Sequence, residues 1–328
     1  MAAGDQLALI DVRTPAEFNY GHVPGALNLP LFTNEERVVV GTTYKQQGKE
    51  PAILLGFDLT GSKWSGFIRE AVNLAPGKRV AIHCWRGGMR SGAMAWALNL
   101  YGFEVKVVNG GYKSFRRWCK QQFERSYQLV LIGGMTGSGK TKMLHELRTM
   151  GEQVIDLEQL ACHQGSVYGS MDCMIQPSQE QFENTLAVQL ATLNTNRRIW
   201  VEDESINIGN CQVPSSFWKQ MQTAQLLELK VARDVRLSNL LAEYGSLNKK
   251  FLIEKTERIR KRLGPEQTRD AIKAIEENRM ADFIDVVLVY YDKTYRKGLL
   301  ARTVKQIVPV NDISAENLIT SALNLTHL

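Results

Sequence analysis

Cysteine is scarce and scattered. The five cysteines, Cys84, Cys119, Cys162, Cys173 and Cys211, are odd in number and include no C-x-x-C pair. That argues against a disulfide framework and a zinc site, and it fits a reducing cytosol. No apolar run approaches the ~18 residues of a membrane span, so no membrane partner is expected. The opening Met1-Ala-Ala-Gly-Asp-Gln6 has neither the basic n-region nor the apolar h-region of a secretory signal, and a cytoplasmic location is the expectation. Acidic residues run short only in the first part of the chain. Residues 1–125 hold 16 Lys and Arg against 10 Asp and Glu, whereas the remainder holds 24 of each, so the net charge of +6 lies in the first part. A basic excess suits a polyanionic partner, and it equally suits a solvated surface. Apolar residues are not short: 44% hydrophobic and 23% charged residues in a chain of 328 are the composition of a soluble globular protein with room for two cores.

The stretch Val80-Ala-Ile-His-Cys-Trp-Arg-Gly-Gly-Met-Arg-Ser-Gly92 carries the first chemistry. Its start reads as a buried strand and the following Ala93-Met-Ala-Trp-Ala-Leu98 as a helix, which sets Cys84 at a strand-to-helix turn. Gly87 and Gly88 let the backbone curl so that N–H groups point inward, the helix N-terminus adds positive potential, and Arg86 and Arg90 supply charge. Such surroundings lower a thiol pKa and favour a reactive thiolate. The plain alternative is a buried, inert cysteine, but an apolar core does not surround a thiol with two arginines and two glycines.

Leu7–Val12 reads as a short buried strand, and Thr14 with Pro15 makes a helix start. Asp11-Val-Arg-x-Pro-x-Glu-Phe18 followed by Gly21-His-Val-Pro-Gly-Ala-x-Asn-Leu-Pro30 resembles the rhodanese family. The resemblance covers residues 1–118 and implies an α/β fold with a central, largely parallel sheet. Cys84 falls where that family keeps its catalytic cysteine, and Val105-Lys-Val-Val-Asn-Gly-Gly-Tyr112 is similar to its final strand and closing Gly-Gly turn. Arg90 lies six residues after Cys84, where sulfurtransferase members commonly have five, so the loop also matches the C-x5-R signature of cysteine phosphatases. Chalcogen transfer and phosphate-ester hydrolysis both remain open, with phosphate or selenophosphate as the fitting anion. Residues 34–45 and 48–56 form an insertion that generic rhodaneses lack. Its Gly41-Thr-Thr-Tyr-Lys45 and Gln46-Gln-Gly48 segments read as a polar surface loop, decorative by default and functional where such a loop lies beside a site.

Residues 111–125 interleave basic and aromatic residues at helical spacing, so residues 119–127 are expected to be a connecting helix into a second domain, 128–328. Lys113, Arg116, Arg117 and Arg125 on this run are candidates for phosphate contacts or a solvated face. Gln128–Gly133 reads as a strand, and Gly134-Met-Thr-Gly-Ser-Gly-Lys-Thr141 matches G-x-x-x-x-G-K-[ST] before a helical stretch. Gly134, Gly137, Ser138 and Gly139 bring backbone N–H groups onto phosphate oxygens, Lys140 reaches the terminal phosphate, and Thr141 can hold Mg2+. That motif implies polyphosphate binding, not hydrolysis. Arg197-Arg-Ile-Trp-Val-Glu-Asp-Glu204 is an apolar strand ending in acids. Glu202 and Asp203, with Glu204, are placed to orient magnesium or a nucleophile at the ligand crevice. Asp156 and Glu158 end another predicted strand and are weaker candidates on the same argument. Residues 249–263 predict a helix packing through Leu252, Ile259 and Leu263 with a basic flank, suited to RNA phosphates or to solvent. Tyr290, Tyr291 and Tyr295 are candidates for base stacking or for core.

The order rhodanese then P-loop narrows the resemblance. Asn34-Glu-Glu-Arg-x-x-Val-Gly-Thr-x-Tyr-Lys45, the Cys84–Ser91 loop, Gly134–Thr141, Asp156-Leu-Glu-x-Leu-Ala-x-His163-x-Gly-Ser166 and Val201-Glu-Asp-Glu-Ser205 together resemble the bacterial tRNA 2-selenouridine synthase family over nearly the whole chain. That resemblance implies an α/β fold, with a rhodanese-like domain followed by a P-loop NTPase-like domain. It implies a transferase acting on tRNAs that carry a wobble 2-thiouridine. Geranyl diphosphate and selenophosphate are its implied co-substrates, with Mg2+ at the P-loop and a selenophosphate supplier as partner. It also implies Cys84 as nucleophile or selenium acceptor, with Arg86, Gly87, Gly88 and Arg90 as its anion cradle. Gly134, Gly137, Ser138, Gly139, Lys140 and Thr141 would hold the diphosphate with Glu202 or Asp203, and no residue is implied as a resident metal ligand. Two other readings stay open on the residues alone: a cysteine phosphatase or sulfurtransferase fused to a kinase-like P-loop domain, and an RNA-binding regulator with a nucleotide switch.

Overall fold

Two parallel sheets organise the chain, one in each of the units into which its contacts divide, Met1–Gln122 with Glu183–Val188 and Phe123–Phe182 with Gln189–Leu328. The computed structural model describes residues 7–163, 168, 175–245, 247–300, 307–310, 316, 317, 319 and 320. Gly165, Ser166 and Cys173 lie outside the described residues.

In the first unit, β1 (Ala8–Asp11), β2 (Leu27–Asn28), β3 (Arg79–His83) and β4 (Glu104–Val107) form a parallel sheet in the order β2-β1-β3-β4. Ile10 stands opposite both Leu27 and Ile82, and Asp11 opposite His83. The helices are α1 (Pro15–Tyr20), α2 (Asn34–Gln46), α3 (Lys49–Thr60), α4 (Trp64–Leu74), α5 (Met89–Leu100) and α6 (Gly111–Glu124). Ile10, Val80 and Ile82 pack with Met94 and Leu98 of α5 and Ala71 of α4 in one core, so strands covered on both faces read as apolar runs. The expected start at Pro15 is present as a capping box. Thr14 Oγ1 accepts the Glu17 N–H at 3.2 Å, and Glu17 Oε2 accepts the Thr14 N–H at 3.0 Å.

The insertion is helical rather than a surface loop, which corrects the reading of Gly41–Gly48. Thr33 and Glu36 form a second capping box, with Thr33 Oγ1 3.2 Å from the Glu36 nitrogen and Glu36 Oε2 2.9 Å from the Thr33 nitrogen. Val40 and Leu59 pack against the first core. Cap and packing together outweigh the weak helix propensity of Val38-Val39-Val40 and Thr42-Thr43. The polar, glycine-marked run contains only the break between α2 and α3, at Gly48 with φ +100°.

In the second unit, β5 (Leu129–Gly134), β6 (Gln153–Ile155), β7 (Ile199–Glu202), β10 (Gln225–Leu229) and β11 (Ile307–Val310) form a parallel sheet in the order β11-β10-β5-β7-β6. The strands β8 (Asn207–Ile208) and β9 (Cys211–Gln212) make a small antiparallel pair. The helices are α7 (Lys140–Thr149), α8 (Leu157–Leu160), α9 (Gln179–Thr192), whose middle residues Glu183–Val188 belong to the first unit, α10 (Ser215–Thr223), α11 (Arg233–Tyr244), α12 (Lys249–Arg258), α13 (Arg260–Leu263), α14 (Pro265–Glu276) and α15 (Met280–Leu300). Every residue of β5 is buried. The single helix expected over 249–263 is divided at Ile259, whose N–H bonds the Thr256 carbonyl at 3.2 Å, three residues back, and so tightens the last turn of α12. Leu252 and Ile259 are buried as expected, and Leu263 is half-buried. Among the described residues no helix is long and apolar enough to cross a membrane.

Candidate functional site

Cys84 leaves the carboxyl end of β3 and is buried. Its Sγ lies 3.3 Å from Ser91 Oγ, which in turn lies 3.0 Å from the Gly88 carbonyl. Burial pushes the thiol pKa up, but the Ser91 hydroxyl and the N–H groups of Ser91, Arg86 and Gly88 outweigh it and hold the pKa below its ordinary value. Helix α5 starts with Gly88 at its N-cap and no side-chain cap bond, so its first N–H groups are left for a thiolate or an anion. Two other thiols show the contrast. Burial pushes Cys119 up to about 12 and Cys211 up to about 11, which makes both poor nucleophiles.

The Gly-Gly turn after β4 clamps this loop. The Tyr112 N–H donates to the Cys84 carbonyl and the Lys113 N–H to the Trp85 carbonyl, each at 2.9 Å. Gly87 has φ +69°, and a Cβ there would stand 2.5 Å from the Val108 carbonyl oxygen. Gly111 has φ +55°, and a Cβ there would stand 2.3 Å from the Cys84 carbonyl oxygen. Two backbone segments therefore touch where only hydrogen fits.

The two arginines of the loop diverge. Arg86 is exposed, whereas the Arg90 guanidinium donates to both oxygens of Glu17, at 2.6 and 3.2 Å. Burial raises the Glu17 carboxyl, but Arg90, the Thr14 N–H and Arg37 of α2 outweigh it and hold it below the usual range. Glu17 thereby ties the start of α1 to the Cys84 loop, and the field of the insertion reaches the same carboxylate. Beneath them Arg13 is buried, with Nη2 2.6 Å from Asp11 Oδ2 and its guanidinium 3.7 Å from the Tyr112 ring centroid. Of the four basic candidates in residues 111–125, Arg116 on α6 donates to Asn184 at 2.6 Å and to Glu183, whereas Lys113 and Arg117 on α6 and Arg125 just beyond it are exposed.

The P-loop joins β5 to α7, and helix α11 holds it from one side. Asn239 Nδ2 donates to the Gly137 carbonyl at 2.8 Å and Arg236 Nη1 to the Thr136 carbonyl at 3.2 Å. Gly137, with φ +81°, approaches α11 so closely that a Cβ would stand 2.7 Å from the Arg236 carbonyl oxygen. Arg236 is itself fixed by a buried two-pronged bond to Asp292 of α15, at 2.7 and 2.8 Å. Gly134 ends β5 and Gly139 stands at the N-cap of α7. Lys140 Nζ folds back onto the Gly134 carbonyl at 3.2 Å. The Ser138 hydroxyl is buried with no hydrogen-bond partner among the described residues.

Glu202 faces this loop from the end of β7. Thr141 Oγ1 donates to Glu202 Oε1 at 2.8 Å, and Glu202 Oε2 is buried with no hydrogen-bond partner among the described residues. Asp203 is half-buried, and its backbone N–H donates to the Ile132 carbonyl of β5 at 2.9 Å. One carboxylate oxygen from each of Glu158, Glu202 and Glu204 lies within 4.8 Å of the others. Burial and the neighbouring carboxylate of Glu202 push Glu204 up to about 7, and burial raises Glu202 against the pull of Lys140. An all-oxygen donor set beside a phosphate loop fits Mg2+.

The remaining candidates sit apart from this loop's bonds. In α12 and α13, Arg258 pairs with Glu254 and Arg260 with Glu257, Lys249 donates to the Glu276 carbonyl, and Lys250, Lys261 and Arg262 are exposed. Tyr290, Tyr291 and Tyr295 are half-buried on α15, with Tyr291 packed at the edge of a core. His163 Nδ1 is buried without a hydrogen-bond partner among the described residues, and burial depresses its pKa. Sequence reasoning gave no role to Glu17, Ser91 or Gly111 in the first site, nor to Arg236, Asn239 and Asp292 in the second. Glu17, Ser91 and Gly111 stand in quoted motifs, which was the available signal. The other three carry no local pattern.

A model described as the tRNA 2-selenouridine synthase AAA domain matches residues 127–320, and one described as a rhodanese-like domain matches residues 1–117. The chain is 38% identical over 250 residues to a tRNA 2-selenouridine synthase of Nitrosomonas eutropha, covering 72% of this chain and 62% of that protein. It is 37% identical over 289 residues to the synthase of Shewanella oneidensis, covering 79% and 74%, and 32% identical over 323 residues to that of Shewanella frigidimarina, covering 88% and 87%. The match thus spans a little under two-thirds of the Nitrosomonas protein and most of the Shewanella ones. A rhodanese-like cysteine loop and a P-loop, in that order and matched along the chain in this way, place it in the tRNA 2-selenouridine synthase family.

Proposed function

We propose that this chain is a tRNA-modifying transferase that converts wobble 2-thiouridine to 2-selenouridine, through S-geranylation with geranyl diphosphate and then selenium transfer from selenophosphate. In the first step the thiouridine sulfur bonds to C1 of the geranyl group, the C1–O bond breaks, diphosphate leaves and the N3 proton is released. Lys140, with the N–H groups of residues 137–141, suits the leaving diphosphate, whose charge grows as the bond breaks. In the second step selenium bonds to C2 and the C2–S bond breaks, so geranylthiol leaves and water takes the phosphoryl group as phosphate. Bound Mg2+ would neutralise diphosphate charge, with Thr141 and Glu202 as its holders.

The observation that carries this reading is the Cys84 loop: a thiol with a lowered pKa at an uncapped helix N-terminus, beside the exposed Arg86. This arrangement suits a nucleophile working on an anionic chalcogen donor, and Cys84 serves the selenium step. Substrate tRNA, a cytoplasmic location and a selenophosphate-supplying enzyme as partner follow from the same reading. The basic excess of residues 1–125 supports a polyanionic substrate.

Nucleoside mass spectrometry of 2-thiolated tRNA tests it. With geranyl diphosphate alone the S-geranyl nucleoside is expected, and with selenophosphate added 2-selenouridine. Cys84→Ser should block only the second product and Lys140→Ala the first. Unchanged thiouridine with folded protein and bound tRNA, together with phosphate release from an aryl phosphate, would replace this reading with a cysteine phosphatase.

A further inference from the structure

The acid cluster beside the P-loop is larger than a P-loop helix start and one acid require. Glu202 comes from β7, Glu204 lies two residues beyond it, and Glu158 comes from the first turn of α8. Their carboxylate oxygens converge within 4.8 Å. Glu204 and Glu158 share a side-chain hydrogen bond, and such a group is costly unless a proton or a cation compensates its charge. Lys140 is the cation whose field reaches both Glu202 and Glu204, yet its ammonium is bonded to the Gly134 carbonyl. Glu202 adds an independent sign. It is 1% exposed, with one oxygen bonded to the Thr141 hydroxyl and the other without a hydrogen-bond partner among the described residues. A buried carboxylate oxygen with no protein donor among the described residues, amid two further carboxylates, is suited to ligate a cation.

We propose that Glu158, Glu202 and Glu204 form, with the Thr141 hydroxyl, a divalent-cation site that binds Mg2+ or Mn2+ alongside the diphosphate held by the P-loop. The proposal rests on the diphosphate-binding role given above and adds Glu158 and Glu204 as ligands, in place of Asp203. Three carboxylates and a hydroxyl are the hard oxygen donors these ions take. The cation and Lys140 are coupled. When Lys140 turns to a phosphate its compensation of the cluster weakens, so cation and diphosphate bind more tightly together than apart.

Titration of the full-length protein with Mn2+, followed by the electron paramagnetic resonance of free Mn2+ with and without inorganic pyrophosphate, is the direct test. A saturable site is expected, tightened by pyrophosphate beyond the depletion of free Mn2+ that pyrophosphate causes in a protein-free titration. Glu158→Gln and Glu204→Gln should each weaken it roughly tenfold or more, whereas Glu146→Gln, which removes a charge from α7 outside the cluster, should leave it in place. Circular dichroism and thermal unfolding of each variant establish that it is folded. Mn2+ binding that is undiminished in folded Glu158→Gln/Glu204→Gln protein, or absent from wild type in the presence of pyrophosphate, overturns the proposal. These readings need no tRNA or geranyl donor. A protein that binds Mn2+ as described yet modifies no thiouridine would sink the functional reading and leave the cation site standing.

Discussion

Ser91 Oγ stands 3.3 Å from Cys84 Sγ, seven residues on and one turn into the helix whose N-terminus faces the same sulfur. The Ser91 hydroxyl also donates to the Gly88 carbonyl, and turned onto a thiolate it makes a charge-assisted bond stronger than any it makes to the neutral thiol. Removing it should therefore raise the Cys84 pKa. The rate of Cys84 carbamidomethylation, followed peptide by peptide, should rise through a midpoint below that of an ordinary cysteine in wild type. In Ser91→Ala the midpoint should shift to higher pH. An unshifted profile would mean that the backbone N–H groups alone hold the thiolate.

Gly111→Ala should abolish the Cys84 loop rather than weaken it. Its Cβ would stand 2.3 Å from the Cys84 carbonyl oxygen and 2.5 Å from the Gly87 nitrogen, both backbone atoms with nowhere to go. The positive φ alone costs about 1–3 kcal/mol, and the clash adds to it. Urea denaturation should show a loss at least that large. Gly88→Ala, where a Cβ meets nothing within 4 Å, should stay close to wild type in stability.

These two contacts show what was legible in the sequence. The Cys84 turn and the P-loop were readable because the residues that make them are contiguous, and strand, glycines and helix follow within a dozen positions. Helix α2 reads as a loop in the sequence because Gly41-Thr-Thr-Tyr-Lys45 and Gln46-Gln-Gly48 are polar and glycine-marked, whereas the Thr33–Glu36 capping box is the local signal that points to a helix. Arg236 and Asp292 could not be read at all. They lie 56 residues apart, and nothing in either neighbourhood marks a buried charge. Glu158 and Glu204 were visible as acids near strand ends, but their convergence belongs to the parallel order of β6 and β7, which local pattern does not encode.

Arg236→Leu should destabilise the second unit by about 3–5 kcal/mol, because it leaves Asp292 buried without its partner. It also frees the Thr136 carbonyl, so pyrophosphate binding should weaken in protein that remains folded. The double variant Arg236→Leu/Asp292→Leu removes both charges and should recover much of the stability without recovering the loop contact. Recovery of both stability and binding would show that Arg236 serves the core and not the P-loop.

Glu17 offers the test that joins fold to function in the first unit. Its carboxylate closes the cap of α1 and bonds the Arg90 guanidinium. Glutamine at this position keeps the cap and removes the charge. The folded pKa of Glu17 is lowered, so the stability it contributes is present at neutral pH and is lost as pH falls through that lowered value. Glu17→Gln should thus be less stable than wild type at neutral pH, by about 1 kcal/mol or less for a part-exposed pair. Under acid conditions, where the wild-type carboxyl is protonated, the two should converge. Released from Glu17, Arg90 no longer holds its place beside the loop, so under the proposed function the apparent affinity for selenophosphate should change while S-geranylation is retained. A constant stability gap at both pH values would mean that the Glu17–Arg90 contact acts through packing. Loss of geranylation alongside selenation would mean that Glu17 serves the fold as a whole and not the Cys84 loop.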